Sequence, residues 1–200
     1  GKFTKVDYFI YSFTDISQHH MKIAELTEQT ERDPATSLWN KRKFDDHLRY
    51  QARLHQRYPD HPPGCLAIID IDEFKQVNDS QGHLTGDRVL RSLAHSLQGA
   101  LRQTDVIARY GGEEFAVLLV GTDSTRAQIV MDKVRVAFEQ QEFYGPNGPF
   151  NVTVSVGISS QDMDSTVEGL IGRADEALYI AKDNGRNRVV IAPIQQSRRA

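Results

Sequence analysis

Apolar positions along this chain recur with two periods, and the switches between them mark out its elements. Tyr8–Phe13 is aromatic and β-prone, and Thr14-Asp15 after it offers a helix N-cap. From Ile16 to Glu31, Ile16, Ile23, Leu26 and Thr30 are separated by sevens, threes and fours, a spacing that suits a helix packed on a partner helix or on its own domain. Asp33-Pro34 sets a boundary, because the residue before proline is pushed out of the helical region. A helix is predicted over Lys41–Arg57, with Phe44, Leu48 and Ala52 on one face, ending in the proline-rich loop Tyr58–Gly64. Cys65–Asp72 is predicted as a strand and Asp87–Leu101 as a helix with Leu90, Leu93, Ala94 and Leu97 inward. Val106–Tyr110 and Glu113–Val120 are predicted to pair around Gly111-Gly112, read as a two-residue hairpin turn needing positive φ. Thr125–Gln140 is predicted as a helix with Ile129, Val130, Val134 and Ala137 inward. Phe150–Ser159 is a strand, Val167–Lys182 a helix, and Arg188–Ala192 a final strand. Strands and helices mixed with one hairpin point to an α/β (α+β) domain, a mixed sheet covered by helices.

Composition changes this picture little. The chain has 200 residues, 39% hydrophobic and 26% charged, enough for one globular domain with a real core. No apolar run approaches the roughly 20 residues that cross a bilayer, so no direct membrane contact is expected of this fragment. Gly1 in place of Met is read as the start of a piece cut from a longer protein. A net charge of −3 argues against a general nucleic-acid partner. A phosphate ligand would then rest on local Lys and Arg groups or on metal ions. Cys65 is the only cysteine, so no internal disulfide can form, and its run Cys65-Leu-Ala-Ile-Ile predicts a buried thiol in a reducing, cytoplasmic setting. His19, His20, His47, His55 and His61 make no ligand spacing with Cys65, and no zinc site is expected.

The strand over 65–72 carries the first chemical signal. Leu66, Ile68, Asp70 and Asp72 alternate onto one face, which begins apolar and ends in two carboxylates. Acids confined to the end of a buried strand suggest a cleft at the rim of the sheet. Glu113 and Glu114 stand beside the Gly-Gly turn, where missing side chains allow a ligand to approach the backbone. Clustered hard carboxylates suit Mg²⁺, which binds through one or two such groups plus substrate phosphates. Either motif alone also describes an ordinary strand end or turn; together they are far more specific.

Gly111-Gly112-Glu113-Glu114-Phe115 resembles the signature of the GGDEF family in its Glu variant. Asp70-Ile-Asp-Glu-Phe-Lys-Gln-Val-Asn78-Asp79, then Gly82-His83 and Gly86-Asp87, resemble the family's strand, nucleotide-binding turn and helix. Lys182-Asp-Asn-Gly185-Arg186-Asn187 looks like its closing motif, so the resemblance spans about Asp33 to Ile191. It implies a nucleotide-cyclase or polymerase-palm-like fold, mainly antiparallel, over 33–195. Residues 1–32 would form a strand remnant and linker helix, and 196–200 a disordered tail. The segment ending Phe13-Thr14-Asp15-Ile16-Ser17 also resembles, over few residues, the exit of a PAS sensor domain.

The activity implied is that of a diguanylate cyclase, which joins two GTP into cyclic di-GMP with Mg²⁺, for which Mn²⁺ could substitute. Carried over by position, Asp70, Glu113 and the Ile71 carbonyl would ligate the metal. Asn78 and Asp87 would recognise guanine, with His83 close by. Glu73 and Phe74 would offer backbone N–H groups to the phosphates, while Lys75, Lys182 and Arg186 neutralise them. Glu113 or Glu114, with Glu113 favoured, would assist deprotonation of the ribose 3′-hydroxyl. One GTP per domain implies a homodimer. Arg102-Gln-Thr-Asp105, just upstream of the Gly-Gly pair, matches the family's inhibitory RxxD motif, where the product cyclic di-GMP would bind, with an Arg from 126–135 as a further contact. Simpler readings stand beside these: Lys182 and Gly185 as a helix C-terminus, Asp87 as a first-turn acid, and Asn78-Asp79 as a turn. Asp33-Pro-Ala35-Thr36-Ser37-Leu38 departs from the family's Asp-x-Leu-Thr-Gly-Leu. A non-catalytic receptor for cyclic di-GMP ranks second, because every acid of the signature is present; a mononucleotide cyclase ranks third.

Overall fold

In the structure, a computed structural model, residues 30–58, 63–161 and 166–193 are described. The expected strand remnant, most of the linker helix and the 196–200 tail lie outside these residues. The chain divides into two units, Gly1–Arg32 and Asp33–Ala200. Of the first, Thr30 and Glu31 are helical.

The second unit runs β1 (Trp39–Asn40), α1 (Lys41–Arg57), β2 (Cys65–Ile71), α2 (Phe74–Gln81), α3 (His83–Ala100), β3 (Val106–Arg109), β4 (Glu114–Leu119), α4 (Ser124–Glu139), β5 (Phe143–Gly145), β6 (Gly148–Phe150), β7 (Val154–Ser160), α5 (Val167–Asp183) and β8 (Val189–Ile191). Six strands form one sheet in the order β1-β3-β4-β2-β7-β8, and β5 with β6 makes a separate hairpin. The central pairings, β3 with β4, β4 with β2 and β2 with β7, are antiparallel. The outer pairings, β1 with β3 and β7 with β8, are parallel. This is the mixed, mainly antiparallel sheet expected from the sequence.

Alternation along the central strands feeds two cores. Leu66 and Ile68 of β2 and Ala116 and Leu118 of β4 face α1 and α5, meeting Phe44, Leu48, Leu170 and Leu178. Ala67, Ile69 and Ile71, with Val117 and Leu119, face α3 and α4, meeting Val89, Leu93, Leu97, Met131 and Phe138. Helices on both faces explain why β2 is buried at all seven positions. Side-chain caps start three helices: Asn40, Asp123 and Thr166 accept from the backbone N–H of Lys43, Arg126 and Gly169.

Several boundaries and faces differ from the expectations. The helix predicted from Asp87 begins at His83, so Asp87 lies beyond its first turn and is no first-turn acid. Asn78-Asp79, for which a turn was the simpler reading, lies within α2. The strand expected over Phe150–Ser159 divides into β6 and β7, with Asn151–Thr153 between them. On α4 the buried face is Ala127, Met131, Val134 and Phe138, while Ile129 is exposed, so the predicted face is rotated. Cys65 is buried as expected: its Sγ donates to the Thr122 carbonyl at 3.1 Å, and burial pushes its pKa up to about 11.

Candidate functional site

Strand pairing brings the separated acids together. Asp70 on β2 stands opposite Glu114 on β4, and the Ile71 N–H approaches the Glu113 carbonyl at 3.4 Å. Asp70 and Glu113 line one cavity of about 480 Å³ with Ile71, Asp72, Glu73, Phe74, Lys75, Lys182 and Arg186. Asp70 is 6% exposed, and Lys182 from the last turn of α5 reaches it, with Nζ 2.8 Å from Oδ1. Burial pushes the Asp70 pKa up; Lys182 opposes this, and the Glu114 and Asp72 charges add to it. Burial also raises Glu113, with the Asp70 charge as the next cause and Lys182 opposing. Glu113 therefore feels the Asp70 charge across the same space. Among the described residues no cluster of three or more His, Cys, Asp or Glu side chains could hold a metal. The donor set present is the Asp70 and Glu113 carboxylates with the Ile71 backbone on the same cavity. Hard oxygens in that number fit Mg²⁺, which leaves part of its shell to phosphates and water.

The turn after β2 shapes the cavity floor. Glu73 takes a left-handed conformation (φ 55°) and caps α2, turning the chain sharply from strand to helix at the cavity. A helix N-terminus at that place suits an anion. Arg186 comes from the loop after α5, its Nε 3.9 Å from Glu73 Oε1. Asp72, read as a second cleft carboxylate, has a different task. It follows the end of β2, and its oxygens accept from the Thr153 and Ser155 hydroxyls and the Asn187 N–H.

Asn78, His83 and Asp87 lie outside this cavity's lining, on α2 and the start of α3. Gly86 joins the two helices: a Cβ there would stand 2.1 Å from Asn78 Oδ1, so the Asn78 amide rests on the Gly86 backbone, one residue from Asp87. His83 is exposed and Asp87 half-buried.

The strands on either side of Gly111-Gly112 pair antiparallel as expected, but the turn between them is not the two-residue, positive-φ kind. Residues 110–113 separate β3 from β4, the Tyr110 and Gly111 N–H groups both donate to the Glu114 carbonyl, and neither Gly111 nor Gly112 has positive φ. A Cβ at Gly111 would stand 2.4 Å from Glu114 Oε2, so that carboxylate would have to shift to admit one, whereas Gly112 faces open space. Arg109, which sequence reasoning missed, holds this turn. Its Nε and Nη2 donate to the Gly112 carbonyl at 3.1 and 2.6 Å, and its Nη1 meets both Asp33 oxygens at 3.2 and 3.3 Å. Asp33 Oδ1 in turn accepts from the Thr36 N–H and hydroxyl. Ser37, a non-glycine residue, takes the left-handed conformation (φ 61°). An Arg two residues before a Gly-Gly turn, with an Asp at a Pro boundary, was the available signal.

The 102–105 segment is a loop between α3 and β3. The Asp105 carboxylate accepts from the Arg102 and Val120 N–H groups, while the Arg102 side chain is exposed. Arg135 is committed elsewhere, bonding Asp132, Glu139 and Asn187. Arg126 is exposed beside Asp123.

An α/β domain that presents two facing acids and three cations at one sheet rim is suited to a polyphosphate carried with a hard cation. Residues 30–188 match the family described as diguanylate cyclase, GGDEF domain, and the chain belongs to that family. It is 36% identical over 178 residues to diguanylate cyclase DgcP of Pseudomonas aeruginosa, covering 89% of this chain and 26% of that protein. It is 41% identical over 128 residues to diguanylate cyclase A of Treponema denticola, covering 64% of this chain and 34% of that protein. The chain thus spans only about a third or less of these relatives. Among solved structures, the coiled coil and GGDEF domain of DgcB from Caulobacter crescentus, in complex with c-di-GMP, superposes with a TM-score of 0.87 at 28% identity, covering 92% of this chain and 97% of that one. The active GGEEF domain of a diguanylate cyclase from Vibrio cholerae gives 0.71 at 34% identity, covering 77% and 97%.

Proposed function

We propose that this chain is the catalytic domain of a diguanylate cyclase, which condenses two GTP into cyclic di-GMP and two pyrophosphates. The carrying observation is that Asp70 and Glu113 open into one cavity walled by Lys75, Lys182 and Arg186. In each half-reaction a ribose 3′-oxygen bonds to the α-phosphorus of the other GTP, and the bond from that phosphorus to the bridging oxygen breaks. Pyrophosphate leaves with the electron pair, and the hydroxyl proton passes to a carboxylate, for which we favour Glu113 over Glu114.

Asp70, Glu113 and the Ile71 carbonyl would hold Mg²⁺, or Mn²⁺ in its place. Such an ion, when bound, supplies charge stabilisation to the entering and departing oxygens. The protein's own work is binding and orientation. Lys75, Lys182 and Arg186 oppose the negative charge of the triphosphate, and the backbone at Glu73 and Phe74 meets the phosphates at the start of α2. Asn78 and Asp87, with His83 near, take the guanine; a carboxylate accepts from both the N1–H and the amino group, a donor pair that adenine lacks.

One GTP per domain requires two copies facing each other, so the active state is a homodimer. Cyclic di-GMP, bound at Arg102 and Asp105, restrains turnover. We place the domain in the cytoplasm, in keeping with its unpaired Cys65; among the described residues no helix is long and apolar enough to cross a membrane. Mass analysis of products from GTP with Mg²⁺ tests the reading. Cyclic di-GMP is expected from the wild type and not from Glu113→Ala of unchanged fold. Tight cyclic di-GMP binding without turnover would instead select the receptor.

A further inference from the structure

Asp72 sits at the end of β2, 6% exposed, with its own N–H donating to the Thr153 carbonyl at 2.9 Å. Three donors converge on its carboxylate: Ser155 Oγ at 2.7 Å on Oδ1, Thr153 Oγ1 at 2.7 Å and the Asn187 N–H at 3.1 Å on Oδ2. The last of these crosses 115 positions of sequence. It reaches an unusual piece of backbone, because Arg186 and Asn187 both have positive φ, at 57° and 49°, and neither is glycine. Consecutive left-handed residues with side chains persist only where surrounding contacts hold them.

Those contacts are present on every side of the pair. The Asn187 amide donates to Glu139 Oε1 at 2.8 Å and accepts from Arg135 Nη1 at 2.7 Å. The Arg186 N–H donates to the Ala181 carbonyl at 3.0 Å, and its carbonyl accepts from Arg188 Nε at 3.0 Å. Among the described residues, the Arg186 side chain, by contrast, makes the long approach to exposed Glu73 and otherwise borders the cavity. Its place on the wall is therefore set through the backbone.

We propose that Asp72 is a positioning residue that acts through Asn187 to hold the Arg186 guanidinium over the nucleotide's phosphates. The assignment rests on the GTP-condensing reading above. A carboxylate suits the task because all its lone pairs accept. The Asn187 N–H cannot turn to accept, whereas the Ser155 hydroxyl can.

That asymmetry gives the test, in the full chain, with Asp72→Ala, Asp72→Asn, Arg186→Ala and the Ala–Ala double variant. Asp72→Ala should lower kcat/KM for GTP about tenfold, the usual reach of a charge-assisted hydrogen bond, chiefly by raising KM. It should cost little more in the Arg186→Ala background. Asp72→Asn should restore most of the loss, its oxygen kept on the Asn187 N–H and its NH₂ turned to Ser155. An equal penalty in both backgrounds overturns the proposal, because Asp72 would then act without Arg186. Amide exchange at Asn187 supplies a readout without nucleotide: protection should fall in Asp72→Ala and persist in Asp72→Asn, and equal protection in both also overturns it. If the wild type makes no cyclic di-GMP, the functional reading fails while the exchange measurement still decides the clamp. Should Asp72→Ala not fold, Asp72→Ser, too short to span to Asn187, takes its place in the cycle.

Discussion

Lys182 Nζ lies 2.8 Å from Asp70 Oδ1, joining the last turn of α5 to the end of β2 at the mouth of the cavity. Lys182 is half-exposed and Asp70 is buried, so the acid depends on the pair more than the base does. Lys182→Met should therefore destabilise the domain by about 1–2 kcal/mol at neutral pH, less than for a fully buried pair. Adding Asp70→Asn should recover most of that loss. Urea denaturation of the single and double variants checks this, and an unchanged midpoint in Lys182→Met alone would contradict it.

The raised pKa values of Asp70 and Glu113 fix a second expectation. Between the ordinary carboxylate values of 3.8 and 4.5 and the raised ones, the folded domain holds protons that the unfolded chain has released. Stability must fall as pH rises through that window and level off above it. Asp70→Asn with Glu113→Gln should flatten this part of the Tm profile, while Mg²⁺, binding only the folded wild type, should raise Tm most at the alkaline end. A double variant with the wild-type slope would refute the coupling.

Sequence reading reached the convergence of Asp70 and Glu113 because strand alternation and a turn signal each left a local mark. The rest depended on contacts with no local mark. Asp72 shares the alternation of Asp70, and only the Thr153, Ser155 and Asn187 donors, far along the chain, distinguish it as a bonded acid. Asn78-Asp79 has turn chemistry, yet buried Phe74 and Val77 fasten the segment that carries it to the core as a helix. Gly111-Gly112 suggested positive φ, whereas Gly111 lies close against the Glu114 carboxylate.

Arg109 binds Gly112 and Asp33 with all three of its guanidinium nitrogens, so a point charge cannot replace it. Arg109→Lys should cost about 1–2 kcal/mol in stability and lower turnover by loosening the turn that carries Glu113. In an Asp33→Ala background the stability cost should shrink, since the two residues share bonds. Thermal melts across the four-variant cycle decide this; strict additivity would show that the contact carries no energy.

Arg102 and Asp105 should separate cleanly on substitution. Asp105 ties the loop to the Arg102 and Val120 N–H groups, so Asp105→Ala should lower stability by about 1–2 kcal/mol. Arg102→Ala removes only an exposed side chain and should leave Tm unchanged while weakening cyclic di-GMP binding at least tenfold, as loss of a phosphate-gripping fork does. Calorimetry with cyclic di-GMP and a melt of each variant test the pair; full affinity in Arg102→Ala would place the product elsewhere.

The two glycines of the turn should answer differently to the same methyl group. At Gly112 a Cβ meets nothing within 4 Å and φ is not positive, so Gly112→Ala should fold with unchanged Tm. If GTP approaches the backbone there, the methyl group should still lower turnover by an order of magnitude or more, since an ångström of misplacement can cost about a hundredfold. At Gly111 the Cβ would stand 2.4 Å from Glu114 Oε2, and Gly111→Ala must displace that carboxylate even without ligand. Loss of turnover in Gly111→Ala beyond that in Glu114→Gln would assign the damage to the turn and its Glu113, whereas equal losses would make Glu114 the group that takes the 3′-hydroxyl proton. Single-turnover rates of the three variants at saturating GTP decide between these outcomes.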